Sequence, residues 1–166
     1  MTVSAALQFP LGPGQATDNL TGLPNLNMKG LGHVGTAQTG YVDAVVSPIF
    51  VRTAASGVSS TGAIRLFVIT AEEILTPSRF TDGIDPDATT NQITLLGQAT
   101  VGSQVDVING GASGLQAATV YCFQGFSVKS YLNYTPTFWA VAILNGSGAQ
   151  LSAVASTHYA RYTLIT

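Results

Sequence analysis

Residues 137–148 read Thr-Phe-Trp-Ala-Val-Ala-Ile-Leu-Asn-Gly-Ser-Gly, and this stretch carries the strongest fold signal in the chain. Its apolar run, from Phe138 to Leu144, has seven residues, far short of the roughly 20 that a membrane-spanning helix needs. A short apolar run bounded by turn residues is typical of a strand. Asn145-Gly146 then predicts a hairpin turn, because this dipeptide suits the primed turns that match strand twist. We therefore expect a strand over 137–145 that ends in a hairpin.

Similar β-branched and aromatic runs recur after residue 40 and are separated by turn residues. The predicted strands cover residues 41–53, 62–70, 92–101, 105–108, 118–128, 137–145 and 158–166. A second hairpin is expected across 55–62, and only 71–75 resembles a helix. Short strands at this spacing predict an all-β fold, an antiparallel β-sandwich of the jelly-roll or immunoglobulin-like type.

The alternation of side chains indicates which strands lie deepest. Arg65, Phe67 and Ile69 alternate with apolar residues at 64, 66 and 68, so both faces have apolar positions. This strand is therefore expected to be central or covered by a second layer. The largest core candidates are Trp139, Phe138, Tyr121 and Phe123. Cys122, in an apolar strand without a basic neighbour, is interpreted as a small buried hydrophobe.

The first 40 residues differ from the rest, because proline and glycine are too frequent there for a helix. They predict an extended, irregular N-terminal arm over 1–40, followed by a β-sandwich domain over 41–166. Apolar side chains are spaced along this arm, at Leu7, Phe9, Leu11, Leu20, Leu23, Leu26, Met28 and Leu31. Such an arm binds a surface, which can be that of its own domain or of a neighbour.

Charge is scarce in this chain. Six Lys and Arg and eight Asp and Glu make up 8% of the 166 residues, where soluble domains average about 25%. A compact 17.1 kDa monomer would expose roughly 7,800 Å², or about one charge per 550 Å². A surface of small neutral residues favours dense packing against copies or partners; a merely low-charge soluble monomer is the alternative.

The same composition excludes several classes of function. With Lys29 and Lys129 as the only lysines, the chain has no basic stripe for nucleic acid. A single cysteine excludes an internal disulfide, and no Cys/His cluster predicts a structural metal. The N-terminus lacks the features of a signal peptide, so we expect a soluble chain made in the cytoplasm.

Two motifs suggest ligands, and neither is specific. Gly30-Leu-Gly32-His-Val-Gly35 fits the dinucleotide pattern, but poor strand and helix signals flank it, so these glycines are interpreted as part of a turning arm. Asp82, Asp85 and Asp87 lie within six residues, and hard cations prefer such oxygen ligands. The spacing does not match a calcium loop, so a solvated loop is the preferred interpretation.

Nothing in the sequence favours catalysis. Gly111-Ala-Ser-Gly114 misses the nucleophile pattern G-x-S-x-G by one residue, and His33 and His158 have no signature around them. The only glutamates are the adjacent Glu72 and Glu73, which do not suggest an opposed carboxylate pair. We therefore predict no enzyme, no catalytic residue, no cofactor and no metal.

Several segments together carry a resemblance to a known group of proteins. They are Phe50-Val-Arg-Thr-Ala-Ala-Ser-Gly-Val-Ser-Ser-Thr-Gly62, Phe126-Ser-Val128, Pro136-Thr-Phe-Trp-Ala-Val141 and Asn145-Gly-Ser-Gly-Ala149. Over residues 41–166 the chain resembles the small β-rich virion proteins of tailed bacteriophages. The resemblance implies an accessory structural role in assembly, with no catalytic motif to carry over.

The expected function is therefore that of a structural virion component, first of all a capsid decoration or cement protein. Its partners would be the major capsid protein or other virion proteins, with self-association, as a trimer for example, and without nucleic acid or membrane contact. A position at the neck, tail or baseplate is the structural alternative. A carbohydrate-binding module or polysaccharide hydrolase is the other, with Trp139, Tyr131 or Tyr134 stacking on sugars.

Overall fold

A computed structural model describes residues 2–4, 7–8, 20–35, 40–71, 92–93, 103–154 and 157–166. The strands are β1 (Leu7–Gln8), β2 (Asn27–Gly35), β3 (Asp43–Val46), β4 (Ile49–Arg52), β5 (Ala63–Ala71), β6 (Gln92–Ile93), β7 (Ser103–Ile108), β8 (Val120–Phe123), β9 (Phe126–Ser127), β10 (Phe138–Gly146) and β11 (Arg161–Ile165). A 3-10 turn covers Gly111–Ser113, and helix α1 covers Val128–Leu132. The described part of the chain is thus mostly β, and its strand pairs are antiparallel, which confirms the predicted all-β class.

One sheet has five strands, in the order β6-β2-β10-β5-β7, and we call it the first layer. Its centre is β10, which contains the apolar run from Phe138 to Leu144. Trp139 and Ile143 lie on one face of β10, and Ala140 and Leu144 lie on the other; all four are buried. The adjacent β5 lies between β10 and β7, and its residues 64 and 66–69 are buried, so both of its faces are buried. The prediction that this strand is central or covered by a second layer is therefore confirmed.

The remaining strands form a second layer, in which a two-stranded sheet, β4-β8, continues a four-stranded sheet, β1-β11-β3-β9. Val46 pairs with Phe126 and Ile49 pairs with Phe123, so the same register runs through the break between them. Pro48 interrupts the ladder there because it has no N–H to donate. A Cβ on Gly125 would lie 2.8 Å from the carbonyl oxygen of Val46 and 3.3 Å from Cδ of Pro48, so a larger residue at this position would crowd the break.

Side chains of both layers meet in one hydrophobic core. The first layer contributes Trp139, and the second contributes Phe123, both fully buried as predicted. Trp139 packs edge-on against Tyr162 of β11, with ring centroids 5.7 Å apart and an interplanar angle of 86°. Phe138 and Tyr121, the other two core candidates, are only half-buried.

The described parts of the N-terminal region belong to these sheets. β2 pairs with β10 over most of its length, and β1 pairs with β11. At the end of this second pairing, the N–H of each of Thr2 and Thr166 donates to the carbonyl of the other, at 2.8 and 3.0 Å. The prediction of irregular structure is therefore wrong for residues 27–35. The glycines of this segment are typical of turns, but the segment pairs with β10, which is distant in the sequence. A local sequence pattern cannot show such a pairing.

A buried amide fixes this region to the first layer. Asn145 is fully buried, and its Nδ2 donates to the carbonyls of Leu23 and Ala149, both at 2.8 Å. Its Oδ1 accepts from the N–H and the hydroxyl of Ser147, at 3.0 and 2.7 Å. All hydrogen-bonding positions of this amide are used, and Leu23 is held in the core beside it. We call this arrangement the Asn145 latch.

Both predicted hairpins are wrong. Asn145 and Gly146 continue β10, paired with Ile64 and Ala63, and the chain turns only after them. Residues 55–62 connect β4 of the second layer to β5 of the first, so they cross between layers. The Asn-Gly pair does not form a turn here because both residues pair with β5 and the side-chain amide of Asn145 is hydrogen-bonded in the latch.

Helix α1 was not expected from the sequence, which placed strand through residue 128. Ser127 caps the helix by accepting from the N–H of Ser130 at 2.9 Å. Asp43 of β3 reinforces the cap, accepting from the N–H of Lys129 at 3.0 Å and the hydroxyl of Ser127 at 2.7 Å. Asp43 lies 84 residues before Ser127 in the sequence, so a local pattern around the helix cannot predict this capping carboxylate. The segment expected to be helical, 71–75, lies outside the described residues apart from Ala71, which is in β5.

Candidate interaction surface

The outer side of the second layer carries a group of exposed apolar side chains around Phe50. Within β4, Ile49 and Val51 are fully buried, whereas Phe50 between them is 38% exposed. Its cross-strand neighbours are Cys122 of β8 and Tyr159, which precedes β11. We define the Phe50 face as Phe50, Val120, Cys122, Tyr159 and Arg161.

Aromatic and arginine side chains are in contact within this face. The rings of Phe50 and Tyr159 have centroids 6.2 Å apart and are tilted by 56°. The guanidinium carbon of Arg161 lies 4.7 Å from the centroid of the Tyr159 ring, within the range of a cation–π interaction. Tyr159 is 39% exposed and Val120 54% exposed, so much of this apolar area faces water. Tyrosine and arginine are enriched among residues that dominate binding energy at protein interfaces.

Backbone and imidazole hydrogen bonds hold the face in place from below. The N–H of Phe50 donates to the carbonyl of Tyr159 at 2.9 Å, and the reverse bond is 3.0 Å. His158 is buried, and its Nδ1 accepts from the N–H of Arg52 at 3.2 Å. Its Nε2 lies 3.1 Å from the carbonyl oxygen of Ser152. His158 therefore joins β4 to the following segment and has a structural role.

Cys122 corrects a prediction, because it is exposed and was expected to be buried. The alternation of Val120, Cys122 and Gln124 against Tyr121 and Phe123 is visible in the sequence. The two faces look equally apolar there, so the pattern does not show which one meets the core. In the structure Phe123 is fully buried, and Cys122 therefore points outward.

A second cluster of aromatic residues lies inside the core and faces no solvent. The hydroxyl of Tyr41 donates to the carbonyl of Pro136 at 3.3 Å. Burial raises the pKa of the Tyr41 phenol far above its ordinary value of 10.0, while a hydrogen bond with Trp139 lowers it in part. Burial also raises the pKa of Tyr162. These shifts follow from packing between the layers and keep both phenols neutral.

Of the two ligand motifs considered in the sequence, the structure describes the glycine motif and not the aspartate motif. Gly30, Gly32 and Gly35 lie within β2, which continues through Gly35, so the motif is not the strand–turn–helix junction that holds a pyrophosphate. The interpretation of these glycines as a turning arm is wrong for the same reason. Asp82, Asp85 and Asp87 lie outside the described residues, as does the side chain of His33. Across residues for which the structure gives positions, no three His, Cys, Asp or Glu side chains come together as a metal site would require.

The remaining predicted candidates occupy structural positions. Gly111–Ser113 forms the 3-10 turn, and Trp139 is fully buried, so it cannot stack on a sugar from solvent. Tyr131 is half-buried, with its hydroxyl donating to the carbonyl of Gln104. Of the tyrosines considered for sugar binding, Tyr134 is exposed, and its hydroxyl lies 3.3 Å from that of Thr70.

No protein-family model matches this chain, and no curated protein matches it. Within the described ranges, no helix has the length and apolar character needed to cross a membrane.

Proposed function

We propose that this chain is a structural subunit of a bacteriophage virion, and specifically a capsid decoration or cement protein. Its body would be a β-sandwich of jelly-roll or immunoglobulin-like type, a proposal supported by the core shared between two antiparallel layers. The role is non-catalytic and consists of binding to other virion proteins and to copies of itself. The resemblance over residues 41–166 suggests the setting, and the surface suggests the mode of action.

The observation that carries the proposal is the Phe50 face. Its exposed apolar residues lie on a layer whose inner side is fully packed, so the core gives no reason for them to be apolar. Removing such side chains from water on binding contributes about 25 cal/mol per Å². Scarcity of charge over the whole chain acts in the same direction, because few ions have to lose their hydration when another protein covers the surface.

The described part of the N-terminal region changes the proposed attachment. Leu20, Leu23, Met28 and Leu31 are buried within this chain, so their side chains are not available to a neighbour. A chain beginning near Gly40 would lack β2 and leave one edge of β10 unpaired, so it is expected to misfold. The Phe50 face is therefore a better test of attachment than removal of the arm.

The test is incorporation of a variant into virus particles. Phe50→Ser should leave folding intact, because Phe50 is outside the core, and should reduce the copies found in purified particles at least tenfold. Tyr134→Ser is the matched control, an exposed aromatic residue outside the Phe50 face, and should be incorporated normally. Full incorporation of Phe50→Ser would refute the proposed attachment. Location of labelled chains in a particle reconstruction distinguishes the capsid from the neck, tail or baseplate.

A carbohydrate-binding role is less well supported by this surface. A sugar platform needs an accessible flat aromatic ring, and Trp139 is buried while the rings of Phe50 and Tyr159 are tilted to each other by 56°. Glycan-array binding that is lost in Phe50→Ser would favour that role over assembly.

A further inference from the structure

The edge of the second layer next to the Phe50 face carries backbone groups that point away from the fold. Both the N–H and the C=O of Phe50 bond to Tyr159. Phe50 and Cys122 are therefore a non-hydrogen-bonded pair, and the N–H and C=O of Cys122 face outward from β8. Thr53 N–H donates to Thr119 O at 3.0 Å, which confirms that odd-numbered residues of this strand face β4. The backbone groups of Val120 face outward with those of Cys122.

No described strand pairs with this outward side of β8. In the part of the chain that the structure describes, β8 pairs with β4 alone, and no backbone hydrogen bond outside the strand ladders involves Val120 or Cys122. The side chains of Val120, Cys122 and Gln124 are all exposed. Natural edges are blocked by lysine, proline, bulges or a covering segment, and residues 119–124 contain no lysine, no proline and no charge. An unprotected edge of this kind is a template for strand addition.

We propose that a second copy of this chain occupies this edge, its β8 antiparallel to the first about a two-fold axis at Cys122. Outward-facing residues must pair with outward-facing residues, so Cys122 meets Cys122 of the second copy and Val120 meets Gln124. This register forms up to about six backbone hydrogen bonds, each contributing about 0.5–1.5 kcal/mol. The cysteine reports on the contact and is not its source of stability.

Two properties of the surface favour a second copy as the occupant. The edge is self-complementary, because its uncharged side chains place no like charges opposite each other across the axis. Pairing also places the two Phe50 faces side by side. The row Tyr159–Phe50–Cys122 of one copy is then followed by Cys122, Phe50 and Tyr159 of the second copy. A two-fold dimer of this type is the commonest symmetric assembly of soluble proteins.

Thiol cross-linking tests the register. The Cα atoms of a hydrogen-bonded antiparallel pair lie about 5.5 Å apart, so a short bifunctional thiol reagent should link the wild-type chain into a dimer. Cys122→Ser removes the only thiol and should abolish linking. In that background Val120→Cys alone should link at least tenfold less than Val120→Cys combined with Gln124→Cys, because only the pair is opposed. Equal linking in these two variants would overturn the proposal.

Charge complementation tests the two-fold axis without a cross-linker. Cys122→Lys and Cys122→Asp should each be folded monomers by light scattering, since each places like charges opposite each other at an exposed position. An equimolar mixture should recover the dimer, because lysine then meets aspartate. A monomeric wild-type chain at high concentration, or dimers of both variants alone, would overturn the proposal.

This inference deepens the proposed function, because it names one contact through which the subunit would assemble, and it rests on that function only for the biological use of the dimer. A chain that dimerises in isolation but is absent from particles would refute the virion role and leave the dimer standing. Normal incorporation of a chain that is monomeric in solution would refute the dimer and leave the role standing.

Discussion

The two layers of this fold use apolar residues in different ways. In β10 of the first layer, consecutive residues point to opposite faces and both faces are buried, as Val141 and Ala142 show. In β4 of the second layer, Val51 is buried and Phe50 is 38% exposed, although the strand is just as apolar. The first layer is buried on both sides, whereas the second has exposed apolar side chains on its outer side, at Phe50, Val120 and Tyr159. Apolar residues are therefore buried in one strand and exposed in the other, and we propose that the exposed ones form a binding surface.

The largest loss of stability is expected in the first layer, at the Asn145 latch. Asn145→Ala removes four hydrogen bonds and leaves buried partners such as the Leu23 carbonyl unsatisfied, so it should lower the free energy of unfolding by about 3 kcal/mol. Urea denaturation measures this. Gln150→Ala, at an exposed amide nearby, should change stability by less than about 0.5 kcal/mol. A loss below about 1 kcal/mol in Asn145→Ala would show that the latch is not a fixed part of the first layer.

The second layer has its own point of close contact, at Gly125. Gly125→Ala places a Cβ 2.8 Å from Val46 O and 3.3 Å from Pro48 Cδ, so we expect a loss of about 2 kcal/mol. Gly111→Ala is the control, because its Cβ meets nothing within 4 Å and only the positive φ of 62° opposes it. Its cost should be about 1 kcal/mol. Equal losses, again by urea denaturation, would mean that β4-β8 and β3-β9 are not one continuous layer at this point.

A smaller effect is expected at the cap of α1, where the second layer holds its helix. Asp43→Ala removes the acceptor for Lys129 N–H and Ser127 Oγ, and should cost about 1 kcal/mol. Asp106→Ala is a suitable control, because among the described residues that carboxylate accepts only from the adjacent Val107 N–H. Thermal unfolding should show a clear shift for Asp43→Ala and little for Asp106→Ala. The reverse order would exclude the cap as the reason for this helix.

The smallest effect on stability is expected at alkaline pH, from the phenol of Tyr41 in the core between the layers. Burial raises the pKa of Tyr41, so the folded chain keeps a phenol neutral that the unfolded chain ionises. The stability from this group is fully present below pH 10.0, its ordinary pKa, and is lost as the pH rises through the folded value. Tyr41→Phe should therefore lose less stability between pH 9 and 11 than the wild-type chain, as measured by urea denaturation. Tyr134→Phe, at an exposed position, should follow the wild type.

Local patterns identified most strands of this fold but not their partners. Runs such as 62–70 and 137–145 were predicted because β-branched and apolar residues cluster there between turn residues. The strand over 27–35 was missed because it depends on β10 and on a bulge opposite residues 140–142. Helix α1 was missed because its capping carboxylate comes from β3. In each case the missing information is a contact between distant residues.

The candidate surface shows the same limit. Sequence alternation separated Cys122 from Phe123, yet it could not indicate which of the two met the core. Low charge predicted that some surface would be covered, but its position depends on which face of β4 is packed. Exposure of Phe50 and Tyr159 is a property of the assembled layers, and only the structure gives it.

The pairing of Thr2 with Thr166 has a practical consequence. Because Thr2 and Thr166 lie side by side in one ladder, a short flexible linker could join these two residues without spanning the fold. New termini could then be opened at the exposed residues 55–57. Such a circular permutant would present a fused cargo at a different place while keeping both layers intact.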